Sequence, residues 1–268
     1  MRVFLEHTQY WLYRFIKSSA YRRFIFYSIL YGSKKRFVAR NFNFNGLKLF
    51  TNDSLSFIWQ YKDIFADESY KFVTDSINQV IYDCGANIGV SSLYFSKHYP
   101  ASKIVAFEAD PNIAKILRDN LSRNGINNVE LIDKAVWINK DGIEIGLEGT
   151  DGASINSSRN KTKVPTIRLK DLIEIEKSID LLKIDIEGAE YEVILDCKDS
   201  LNQVRNIFIE YHSYAKSDQK LSKILKVLED NKFRYFVNLV NYREMPFINR
   251  KNKFNPQIDL QLNIYGYK

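Results

Sequence analysis

Val80-Ile-Tyr-Asp-Cys-Gly-Ala-Asn-Ile-Gly89 is the stretch that decides how this 268-residue chain is read. A short run, residues 79–82, ends in an acid, Asp83. A turn with Gly85 and Gly89 follows, and then a helical pattern, Val90-Ser-Ser-Leu-Tyr-Phe-Ser. Buried strand, glycine turn and helix in that order predict an α/β ligand site, because ligands sit outside the carboxyl ends of parallel strands. The two glycines are expected to let a ligand approach the backbone closely. The amides of the turn and the unpaired N–H groups of the helix start are expected to hold its polar atoms.

The glycine spacing sorts the cofactors. A dinucleotide turn reads Gly-x-Gly-x-x-Gly, its second glycine making room for a pyrophosphate. Asn87 stands at that position here, and no Lys-Ser or Lys-Thr follows as in a P-loop. Asp-x-Gly-x-Asn-x-Gly suits instead a phosphate-free cofactor with an ammonium and carboxylate end, Asp83 facing the cation directly or through water.

Downstream, strands alternate with helices. Ile104-Val-Ala-Phe107 closes on Glu108, and Asp110-Pro111 opens a helix that Asn124-Gly125 stops. Val129-Glu-Leu-Ile132 closes on Asp133, and Ile179-Asp-Leu-Leu-Lys-Ile184 on Asp185. Residues 206–209 run into Glu210-Tyr-His212, and residues 220–230 form a further helix. Residues 143–147 and 166–172 read as accessory strands, and the polar segment 149–163 as a loop over the site. Residues 233–240 and 260–265 read as an antiparallel pair at the sheet edge. The class is α/β, a mostly parallel sheet with helices on both faces.

The front of the chain differs. Residues 1–40 hold nine Lys or Arg and one acid, Glu6, so the formal net charge of +7 is an N-terminal property and the remainder is nearly neutral. Residues 10–31 read as a basic aromatic helix, too interrupted by Arg and Lys to span a bilayer. Two readings stay open for it: contact with an anionic membrane face or partner, and, favoured, packing of its aromatics on the domain. Residues 37–50 read as a hairpin turning at Asn45-Gly46. The expected division is residues 1–60 as extension and 61–268 as catalytic domain. Two cysteines, Cys84 and Cys197, give no disulfide framework. The expected location is cytoplasmic, with the inner membrane face left open.

Four successive strands end in acids: Asp83, Glu108, Asp133 and Asp185. A parallel sheet brings these ends to one edge. Glu108, 19 residues after Gly89, is spaced to accept the hydroxyls of a ribose. An anionic crevice without a Lys or Arg clamp suits a cationic ligand. S-adenosylmethionine, with its sulfonium, ribose, adenine and amino-acid end, fits better than NAD. The reading fails if these acids scatter, or if a lysine fills the hollow beside Gly85.

Three motifs then make a resemblance specific. Asp83-x-Gly-x-Asn-x-Gly89, Phe107-Glu-Ala-Asp-Pro111 and Leu182-Lys-Ile-Asp-Ile-Glu-Gly-Ala-Glu190 resemble the FkbM-type S-adenosylmethionine-dependent methyltransferases over about residues 79–212. The resemblance implies a Rossmann-like class I methyltransferase fold with seven strands. It implies methyl transfer to an oxygen, often a hydroxyl of a sugar or natural product. It places Asp83, Gly85, Ala86, Asn87 and Gly89 at the methionine end, Glu108 at the ribose, and Asp133 and Ala135 near the adenine.

A hydroxyl is a poor nucleophile at neutral pH, so a base or a metal should assist. His212 or Glu187 is the expected general base, with Asp185 positioning acceptor or cofactor. Asp185, Glu187, Glu210 and His212 could together bind a divalent ion. The histidines and cysteines lack zinc spacing, and catalysis without a resident metal is expected. The expected partner is a small-molecule or glycan acceptor rather than nucleic acid, since residues 185–188 read Asp-Ile-Glu-Gly instead of an Asn/Asp-Pro-Pro-aromatic motif and the core is not basic. A non-catalytic binding protein of the same fold and a methyltransferase acting on nucleic acid or protein are the alternatives.

Overall fold

The computed structural model describes residues 12–147, 153–154, 161–240, 243–250, 252, 255 and 257–268. A front hairpin pairs β1 (Arg40–Phe44) with β2 (Leu47–Thr51). Asn45 and Gly46 turn it, both at positive φ, as a two-residue hairpin turn requires. The core then runs β3 (Val80–Cys84), β4 (Lys103–Phe107) and β5 (Val129–Ile132). The short strands β6 (Ala135–Trp137), β7 (Ile143–Leu147), β8 (Ala153–Ser154), β9 (Lys161–Val164) and β10 (Thr166–Arg168) follow. Last come β11 (Ile179–Ile184), β12 (Val204–Tyr214), β13 (Arg234–Leu239) and β14 (Ile258–Tyr267).

Seven strands form the central sheet in the order β13-β14-β12-β11-β3-β4-β5. β5, β4, β3, β11 and β12 are parallel, and β14 is antiparallel to β12 and to β13. The antiparallel edge is as expected, and within it the final strand inserts between β12 and β13. The segment read as a loop, 149–163, is in part a small antiparallel sheet of β8, β7 and β9, and the rest of it lies outside the described residues.

Why these segments form these elements is visible locally. β11 is buried along its whole length, as a central parallel strand must be. Asp110 accepts from the Asn112 amide at 2.8 Å and caps the helix Pro111–Arg123, whose proline sits where no N–H is needed. That helix buries Ile113, Leu117 and Leu121 at helical spacing.

The front elements cover one sheet face. Ser18 caps the helix Ser19–Tyr31, which turns Tyr21, Phe24 and Tyr27 inward. Asp53 caps the helix Ser54–Tyr61 and is ion-paired with Arg36. Phe42, Phe44, Phe57, Tyr61 and Phe65 form an aromatic cluster that reaches Tyr94 of the core helix Val90–His98, with the Phe65 and Tyr94 rings edge-on at 5.2 Å. Edge-to-face pairs contribute about 0.5–1.5 kcal/mol each beyond their burial. This cluster ties the proposed extension, residues 1–60, to the rest of the chain.

The glycines of the turn have a reason other than ligand access. A Cβ on Gly85 would lie 1.7 Å from the carbonyl oxygen of Asp185, and one on Gly89 2.3 Å from Leu117 Cδ1. Both residues sit at positive φ. Gly85 therefore lets the end of β3 pass against the end of β11. Gly85→Ala is expected to cost more than about 3 kcal/mol, because rigid backbone blocks the new methyl. Gly125→Ala, also at positive φ but with nothing within 4 Å, should cost only about 1–2 kcal/mol of left-handed strain. Urea denaturation of the two variants checks this order, and equal losses would refute it.

Candidate active site

The turn after β3 is held from its neighbours. Gly85 and Ala86 both donate their amides to the Phe107 carbonyl, at 3.0 and 2.9 Å. Asn87, in the left-handed region, donates its amide to Glu108 Oε2 at 2.9 Å. Ile88 donates to Asn87 Oδ1, and Gly89 to the Ala86 carbonyl. All five amides from 85 to 89 are thus engaged within the protein. Those contacts shape the turn.

Asp83 is likewise turned inward. It is fully buried, and its Oδ2 accepts from the hydroxyls of Ser91 at 2.6 Å and Ser92 at 2.8 Å. Its Oδ1 lies 3.2 Å from the ammonium of Lys183, its register partner on β11. The Lys183 ammonium also donates to the Gly85 carbonyl at 2.8 Å and lies 3.7 Å from Asp185. Burial lowers the Lys183 pKa, but Asp83 and Asp185 outweigh it and raise the value to about 12. Lys183 stands beside Gly85 but is buried beneath the turn, and so it does not fill the hollow named above. It is 2% exposed and lies against the carbonyl side of the turn, where it neutralises Asp83.

The strand-end acids do share one edge, since β5, β4, β3 and β11 are neighbours. Glu108 is buried and accepts from the amides of Asn87 and Asp110, each at 2.9 Å. Burial raises its pKa to about 7 against the pull of those two amides. Asp133 is half-exposed and paired with Arg118 at 2.5 Å. Ala135 is buried in β6, opposite Thr166 of β10.

A second group gathers at the ends of β11 and β12. The chain leaves β11 at Ile184 and breaks at once, with Glu187 and Gly188 at positive φ. Glu190 Oε1 accepts from the amides of Ile186 and Gly188 and lies 3.2 Å from His212 Nδ1. His212 Nε2 is 3.6 Å from both Glu187 and Glu210 and 3.2 Å from Gln261 Nε2. Burial lowers the His212 pKa, but Glu187 and Glu190 win and hold it well above the ordinary value. That direction favours the protonated ring, with Nδ1 facing Glu190. The other expected base, Glu187, has its carboxyl raised by burial, with His212 opposing.

Asp185, Glu187 and His212 present ligand atoms within 4.8 Å of one another, close enough for one divalent cation. On the same sheet face, register places Phe208, Tyr265 and Phe236 side by side, two residues before Glu210 on β12. A cleft of about 680 Å³ opens there, lined also by Tyr70, Phe72 and Asn238.

Comparison with known proteins now adds a family. The methyltransferase FkbM domain pattern matches residues 83–235. The chain belongs to the FkbM methyltransferase family. It is 31% identical over 197 residues to methyltransferase SdnD of Sordaria araneosa, covering 56% of this chain and 73% of that one. It is 28% identical over 164 residues to 2-O-methyltransferase NoeI of Sinorhizobium fredii, covering 53% and 65%. It is 24% identical over 209 residues to hexuronic acid methyltransferase AglP of Haloferax volcanii, covering 75% and 84%. The seven-stranded, mostly parallel sheet agrees with the fold that the family resemblance implies, and the methyl donor of this family is S-adenosylmethionine.

Sequence reasoning missed Lys183, Ser91 and Ser92 as site-forming residues. A lysine inside an otherwise apolar central strand was the available signal, because a buried charge demands a partner. Lys183→Met is expected to cost about 3–5 kcal/mol, since it strands Asp83. Lys183→Met with Asp83→Asn should recover part of that loss. A double-mutant cycle by urea denaturation measures the coupling, and additive losses would show that the two side chains act separately.

Proposed function

We propose that this family member methylates a hydroxyl on a sugar or glycan acceptor. The observation that carries the reading is Glu187, a raised carboxyl beside Asp185 at the ends of β11 and β12, backed by the His212 imidazolium. The aromatic cleft on the same sheet face supports it, because Phe236 and Tyr265, stacked at 4.8 Å, offer a flat apolar platform. NoeI, by its name, is a 2-O-methyltransferase and AglP a hexuronic acid methyltransferase, which favours the same acceptor chemistry.

Bound S-adenosylmethionine supplies a methyl group on a positively charged sulfur. In this reading Glu108 accepts the ribose hydroxyls, with its carboxyl already oriented by the amides of Asn87 and Asp110. Asn87 and Gly89 line the methionine end, and Asp133 and Ala135 flank the adenine. Asp83, Gly85 and Ala86 act through the shape of the turn. Asp185 orients the acceptor, and Glu187 takes its hydroxyl proton. His212 and Glu190 position Glu187. Alignment of sulfur, carbon and oxygen then provides most of the rate.

The sign of the pH dependence follows. Glu187 works as a base only when ionised, and its pKa is pushed up to about 8. The turnover number kcat should therefore rise with pH through that value. Glu187→Gln should lower kcat by about 100-fold or more and flatten the rise. Donor binding by calorimetry should survive the substitution. With Glu187 as base, activity should persist in the presence of a chelator. Full turnover by Glu187→Gln, or its abolition by chelator, would overturn the base assignment. A screen of sugars and hydroxylated metabolites with labelled donor tests the acceptor class, and labelling only of nucleic acid or protein would reject it.

A further inference from the structure

The helix Ser19–Tyr31 is apolar on two faces, and only one is covered. Tyr21, Phe24 and Tyr27 pack inward. Phe26, Ile29 and Leu30 share another face, and they are 56, 75 and 40% exposed. Residues 12–17 are also helical and expose Leu12, Tyr13 and Ile16. Arg22 ties the two helical pieces together by donating to the carbonyls of Phe15 and Ile16, at 3.0 and 2.7 Å. Phe37, just beyond, is 60% exposed.

The charges around this face are of one sign. No Asp or Glu occurs from residue 7 to residue 52. Arg14, Arg23 and Arg36 are engaged with Asp67, Asn45 and Asp53. Among the described residues, no carboxylate pairs with Lys17, Lys34 or Lys35. None of the described helices is long and apolar enough to cross a membrane. A second copy of this chain on this face would set unpaired lysines against unpaired lysines. An apolar rank with free cations beside it matches a surface that is apolar below and anionic above, as at the headgroup boundary.

We propose that Ile16, Phe26, Ile29, Leu30 and Phe37, with Lys17, Lys34 and Lys35, form a docking face for an anionic phospholipid bilayer. The helix lies in the plane of the interface with its outer face in the lipid, while its inner face still holds the aromatic cluster. This proposal does not depend on the acceptor.

Co-sedimentation of the full chain with phosphatidylcholine vesicles, with and without phosphatidylglycerol, tests it. The protein should partition onto the anionic vesicles, weakly or not at all onto the neutral ones, and less as salt rises. Lys34→Ala and Lys35→Ala should each lower the partition coefficient by about fivefold. Phe26→Ser with Ile29→Ser should lower it by more than about tenfold. Both sets of side chains are exposed, so melting and donor binding should match the unsubstituted protein, which separates lost docking from lost fold. Equal binding to neutral vesicles, no binding to anionic ones, or binding that all these substitutions leave unchanged would overturn the proposal. So would a concentration-dependent dimer, seen by sedimentation velocity, that Phe26→Ser with Ile29→Ser abolishes.

Discussion

The ion pair between Lys183 and Asp83 holds both halves of the site in place. It joins neighbouring parallel strands at the centre of the sheet, away from water. Two buried charges are tolerated there only because each has further partners: Ser91 and Ser92 on Asp83, and the Gly85 carbonyl and Asp185 on Lys183. Removing one member would leave an uncompensated charge, which costs more than the pair contributes. The pair also fixes the turn after β3 against the break after β11. Close passage of the two strand ends demands Gly85, and the ammonium beneath them supplies the attraction.

Much of the fold was legible in the sequence. Strand, glycine turn and helix at residues 80–96 are as read, and Asp110-Pro111 opens its helix where the cap signal says. These signals are local, and so they survive without tertiary information. The insertion of β14 between β12 and β13 was not legible, because strand order depends on contacts across the chain. The site was legible as a set of residue types and not as a set of directions. Asp83 is the expected residue at the expected strand end, yet it faces the interior. The glycines are where a ligand turn needs them, yet Leu117 and the Asp185 carbonyl explain them. His212 is at the expected strand end, but its sequence neighbourhood does not show that Glu187 and Glu190, from beyond β11, face it.

The charges divide the site into two regions of different character. Around Glu108 one carboxyl is held by two backbone amides, so its orientation is fixed before any ligand arrives. Around His212 three carboxyls face one imidazolium, so protonation is shared and responsive. The first arrangement suits recognition of a constant group. The second suits proton transfer to and from a group that changes. Lys183 lies between them and contacts acids of both regions, Asp83 and Asp185.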